Sequence, residues 1–77
     1  MEINNLMGIK IEIEKFAASK NVTLREYQKT NFRNIERDYE AGKIDKNAVI
    51  AKVHYEFKKE GKVLTSSEEN ELKGKLK

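Results

Sequence analysis

The chain has no cysteine, no proline and no tryptophan, one histidine, and four glycines in 77 residues. Without cysteine there is no disulfide framework and no thiolate nucleophile, which suits a reducing compartment. Without proline, nothing interrupts a helix by removing a backbone donor. No apolar run approaches the roughly 18 residues that would span a bilayer. Near the amino terminus stand Glu2, Asn4 and Asn5 rather than a basic segment followed by an apolar one, so no secretory leader is read and a cytoplasmic location is expected. No HExxH, CxxC or glycine-rich phosphate loop occurs. His54 falls at the edge of an apolar helical face, where a locally hydrogen-bonded histidine is far commoner than a lone catalytic base or metal ligand. The expectation is a non-enzymatic protein without metal or cofactor.

What is abundant is charge of both signs: 38% of residues are charged, yet the net charge is only +3. Residues 1–20 are neutral, and 21–39, 40–60 and 61–77 carry +1 each, so no segment is a basic tail. Any electrostatic function must therefore come from local patterning. A chain of this length supports one core, and 1–77 is read as a single domain without linker, low-complexity tract or internal repeat.

Apolar periodicity places three principal helices and a short fourth, an all-α bundle. Leu6, Ile9, Ile13 and Phe16 recur at steps of three and four, with Ala17 widening the stripe and Gly8 delaying the helix start. Ile11 does not fit that stripe. The alternation in IKIEI admits a competing α+β reading, with a strand at 9–13 pairing with 62–65. Thr23 followed by Glu26 forms a capping-box pattern, so a second helix is expected from Leu24 to Ala41, stopped at Gly42. Its apolar face is Leu24, Phe32, Ile35 and Tyr39. Asp45 or Asn47 caps a third helix that starts at Lys46 or Ala48, runs to Glu60 and buries Val49, Ile50, Val53 and Phe57. Thr65 with Glu68, or Ser66 with Glu69, opens a terminal helix anchored by Leu72 and Leu76, with acids first and lysines last, as the helix dipole favours.

On the second helix Arg25, Lys29, Arg33 and Arg37 recur every fourth residue and wind around it as an oblique basic stripe, interspersed with Glu26, Glu36 and Glu40. The segment FAASKNVTLREYQ resembles the generic helix-turn-helix pattern: Ala17 is the small packing residue, Asn21 takes the turn position, Val22 the apolar position after it, and Tyr27 an inward position of the second helix. Lys20 and Thr30 depart from it, standing where apolar residues are usual. The resemblance implies a small regulator that binds double-stranded DNA. Arg33 and Arg37 would contact phosphates, and Arg25, Gln28 and Lys29 would lie nearer the bases. The alternative is a protein-interaction module, such as a small inhibitor or adaptor, whose partner is another protein or a second copy forming a homodimer. On the third helix Tyr55 clusters with Lys52 and Lys59 away from the core face, and with Tyr27 these residues supply the aromatic anchors that an interface needs.

Overall fold

In the computed structural model, which describes residues 8–76, the helical spacing prevails over the strand alternation. Ile9, Ile13, Phe16 and Ala17 are buried on one face of helix α1 (Ile9–Ser19), and Ile11 points outward. The strand of the competing reading, at 9–13, does not form: the apolar period continues through Phe16 and Ala17, which a two-residue repeat cannot bury on one side. Its partner in that reading, 62–65, is a connection without regular structure. Leu6 lies outside the described residues.

Three more helices follow: α2 (Glu26–Glu40), α3 (Lys46–Lys59) and α4 (Ser66–Lys75). Each packs chiefly on its two neighbours in a ring, α1 on α2, α2 on α3, α3 on α4 and α4 back on α1. Across the middle Phe16 of α1 stacks on Phe57 of α3, ring centroids 6.0 Å apart. Around this pair Ile13, Phe32, Val49, Val53 and Leu72 form one fully buried core, with Leu24, Tyr39 and Ile44 packed at its edge.

Three helices stop in the same way. After α1, α2 and α3 a residue with positive φ reverses the chain: Asn21 (61°), Gly42 (77°) and Gly61 (83°). The amide of the following residue then reaches back across the last turn, Val22 to the Ala17 carbonyl, Lys43 to Asp38 and Lys62 to Phe57, at 2.8–2.9 Å. This is the left-handed cap that satisfies otherwise unpaired terminal carbonyls.

The second helix starts two residues later than the Thr23–Glu26 pattern predicts. Arg25 is its N-cap, and the reciprocal bond comes from Gln28, whose Oε1 accepts from the Arg25 amide at 2.8 Å. Residues 22–25 stay outside the helix instead, with Val22 buried and Leu24 packed against the core. At the other helix starts, Asp45 Oδ1 accepts from the Ala48 amide at 2.9 Å, and Thr65 with Glu68 completes a capping box. Helix α1 has no side-chain cap of its own. Its N-terminus is covered from α2 instead, where Glu36 Oε2 accepts from the Lys10 amide at 3.1 Å, and Gly8 leaves the room a Cβ would take from that carboxylate.

These local devices repeat at a spacing of 40 residues, although the sequence shows no internal repeat. Asn21 and Gly61 hold the left-handed positions, Arg25 and Thr65 are N-caps, and Gln28 and Glu68 bond back to those N-cap amides. Ile9 and Val49, Ile13 and Val53, and Phe32 and Leu72 occupy equivalent buried positions. Only Leu24 and Leu64 are identical at that offset between 8–36 and 48–76. The domain is a pair of helix–loop–helix units, α1–α2 and α3–α4, that complete one core between them.

His54 fixes the second loop. Its Nε2 accepts from the Leu64 amide at 2.9 Å, so the ring proton is on Nδ1, which faces Glu69 Oε2 at 2.9 Å. Both ring nitrogens are thus used locally.

Gly61→Ala is expected to lower the free energy of unfolding by about 1–2 kcal/mol, the cost of a left-handed conformation for a residue with Cβ. Gly74→Ala, in a helix and with nothing near an added Cβ, is expected to raise it by up to about 1 kcal/mol. Urea titrations followed by circular dichroism check both signs.

Candidate functional site

Helices α2 and α3 are joined by the short turn through Gly42, so they lie as antiparallel neighbours. Their interface contains a buried polar network where an all-apolar seam would be expected. Gln28 is completely buried. Its Nε2 reaches the Glu56 carbonyl, Glu56 Oε1 and Glu60 Oε2, each at 3.2 Å. The Glu56 side chain, also buried, accepts at Oε2 from Asn31 Nδ2 at 3.3 Å and pairs through Oε1 with Lys59 Nζ at 3.2 Å. A buried carboxylate is costly unless bonded, and here three residues bond it.

Lys59 carries the network to the surface. Its Nζ lies 4.6 Å from the Tyr55 ring centroid and 5.2 Å from that of Tyr27, so one ammonium bridges two rings. Desolvation works against its charge, but the bond to Glu56 outweighs this with help from the Coulombic attraction of Glu56, and its pKa is raised. Tyr55 is 61% exposed and Tyr27 49%. The helix-turn-helix resemblance expects Tyr27 to face inward. With α2 starting at Glu26, Gln28, Phe32 and Ile35 point to the core instead and Tyr27 turns outward.

Beside the two rings a groove of about 470 Å³ runs between the helices. Asn31, Asn34, Ile35 and Asp38 form its α2 side, and Ala51, Lys52, Tyr55 and Glu56 its α3 side. The four residues expected to serve a protein interface are thus brought to one surface: Tyr27 and Tyr55 around Lys59, and Lys52 with Tyr55 along the groove.

The five residues expected to meet nucleic acid are dispersed. Gln28 is in the interior and cannot reach a base edge, a correction with a clear cause: its carboxamide caps α2 and bonds Glu56. Arg25 Nε donates to Glu60 Oε2 at 2.9 Å, which raises the arginine pKa and lowers that of the glutamate. Lys29 faces Glu26 at 3.4 Å. Arg37 bonds Asp38 Oδ1 and Asn34 Oδ1, both at 3.3 Å. Arg33 is exposed and pairs with no described side chain. Local acids therefore occupy most of the stripe.

The sequence does not single out Glu56, one of many acids on charged helices, and marks its partners Gln28 and Lys59 only for other roles. A signal was present nonetheless: Glu56 adjoins Phe57 on the core side of α3, between Val53 and Glu60. Among the described residues no three His, Asp or Glu side chains converge to hold a metal ion, and no helix is long and apolar enough to cross a membrane. Comparison with family models, curated proteins and solved structures gives no match to this chain.

Gln28→Ala is expected to cost about 2–3 kcal/mol, because it leaves the Arg25 amide and part of Glu56 without partners and opens a small cavity. Acid should also loosen the fold. The Arg25 hydrogen bond holds the Glu60 pKa below its ordinary value, and the Thr65 amide and then Lys62 do the same for Glu68. A carboxylate with a depressed folded pKa contributes stability above the ordinary carboxylate range and loses it as pH falls through the lowered value. Urea midpoints between about pH 7 and about pH 3 should therefore fall, and fall less steeply in a Glu60→Gln, Glu68→Gln double variant.

Proposed function

We propose that this protein is a protein-interaction module whose partner docks on the α2–α3 face. The observation that carries the reading is the grouping of Tyr27, Tyr55, Lys52 and Lys59 beside the groove. Two large aromatic side chains are held outward there over a network that is itself fully bonded. Exposed tyrosines fixed by a cation are pre-ordered, so burying them against a partner costs little side-chain entropy and gains apolar area. A small inhibitor or adaptor would use such a face. The DNA-binding reading now rests on Arg33 alone, because Gln28 is buried, Arg25 is held by Glu60, Lys29 faces Glu26 and Arg37 bonds Asp38.

A photo-crosslinking residue placed at position 55 in the host should give a discrete protein adduct that Tyr27→Ala diminishes, while the same residue at position 33 gives none. Tyr55→Ala should weaken that association at least about tenfold, as central aromatic anchors do. It should shift unfolding by less than about 0.5 kcal/mol, since the ring is mostly solvated. Nucleic-acid adducts at position 33, with affinity for duplex DNA falling steeply between low and physiological salt, would favour the DNA reading instead. An adduct with a second copy of the chain would identify a homodimer.

A further inference from the structure

Resting on that reading, we propose that the occupant of the α2–α3 groove is an amphipathic helix of a partner protein, about three turns long, with a carboxylate placed against Lys52. Three observations lead there.

The first is length. Along α2 the groove is lined by Asn31, Asn34 and Asp38, with Tyr27 one turn beyond Asn31, and along α3 by Lys52 and Tyr55, with Lys59, which bridges the two rings, one turn beyond Tyr55. At about 1.5 Å per residue, Tyr27 to Asp38 extends about 16 Å, three helical turns. Small, exposed Ala51 lies opposite Ile35 midway along and leaves space for one inserted side chain.

The second is hydrogen bonding. Both walls are helices whose backbone groups are bonded internally, so they offer no ladder to an extended chain. The two carboxamides on the α2 side are already partly committed, Asn31 Nδ2 to Glu56 and Asn34 Oδ1 to Arg37. An occupant must satisfy its own backbone, and a helix does so.

The third is charge. Glu56 is matched by Lys59, and Asp38 by Arg37. Lys52 lines the groove and pairs with no described side chain. The groove therefore presents one uncompensated positive charge about a turn from Tyr55. The complementary helix carries an apolar residue for the Ala51–Tyr55 step and an aspartate or glutamate three or four residues away.

The test is a display selection with the full chain as bait. One pool holds 14-residue peptides on a helix-favouring framework, and a second holds 14-residue peptides kept extended by proline and glycine. Enriched peptides are then mapped by amide shift perturbation on the labelled protein and titrated against wild type and Lys52→Glu. The expected result is enrichment from the helical pool, acids at one recurrent position, shifts confined to α2 and α3, and at least a tenfold loss of affinity with Lys52→Glu that is recovered when the peptide acid becomes lysine. Peptides that perturb the same face but come from the extended pool, or bind Lys52→Glu equally well, overturn the helical acidic occupant while leaving the docking face in place. If no enriched peptide from either pool perturbs α2 and α3, the occupant and the docking reading fall together.

Discussion

The hydrogen bonds of one buried carboxamide tie together the parts of this molecule that matter for recognition. Through Oε1, Gln28 sets where α2 begins; through Nε2 it holds the Glu56 side chain and the Glu60 end of α3. Glu56 in turn fixes Asn31 at the groove and Lys59 beneath the two tyrosines. A fully satisfied buried network of this kind specifies one arrangement of two helices, because any slip of α2 along α3 strands a charge in the interior. Apolar contacts such as Phe16 on Phe57 supply cohesion without that discrimination, since hydrophobic packing is non-directional.

The 40-residue repeat shows how unusual Glu56 is. At the equivalent position of the first unit stands Phe16, in the centre of the core, and next to it Ala17 corresponds to Phe57. The large aromatic ring has moved by one position between the units, and a carboxylate occupies the place it left. The same exchange of chemistry recurs where the units meet. Lys20, ending α1, is bonded by acids of α4, whereas Glu60, ending α3, is bonded by Arg25 and Gln28 of α2. Both units keep the backbone devices and the alternation of buried positions, while the side chains at their junctions have diverged into complementary charges.

Much of this was legible from sequence. Periodicity located the core of α1 and α3, Gly42 and Gly61 marked two helix ends, and two starts were narrowed to Asp45 or Asn47 and to Thr65 or Ser66, because these signals are local and act within one or two turns. Asn21 was readable as a turn residue for the same reason. The two-residue error at the start of α2 arose where local signals competed: Thr23 with Glu26 satisfies the pattern, but starting there would withdraw Leu24 from the core edge and leave Gln28 without Arg25. Nothing within a turn of Gly8 reveals that Glu36, on another helix, will cover the α1 amides. Gln28 was illegible in the same way, and the place of Glu56 on the core side of α3 did not reveal its partner, which is 28 residues away in sequence and 3.2 Å away in space. The basic stripe was real as a pattern, but Glu60, which holds Arg25, ends another helix, while Asp38, which bonds Arg37, is its sequence neighbour.

The two units also differ at the groove: Asn34 adds to its α2 wall, and the equivalent position of α4 is Gly74, which has no side chain to add. In α1 the position of Glu56 is filled by Phe16, which turns into the core. An acid at position 56 does the reverse. It draws Lys59 over the network and holds Tyr27 and Tyr55 at the surface around the ammonium, where a core aromatic would have drawn its neighbours inward. Lys59, bonded to Glu56, lies between the rings of Tyr27 and Tyr55, so the network that keeps α2 and α3 in register also touches the two exposed tyrosines.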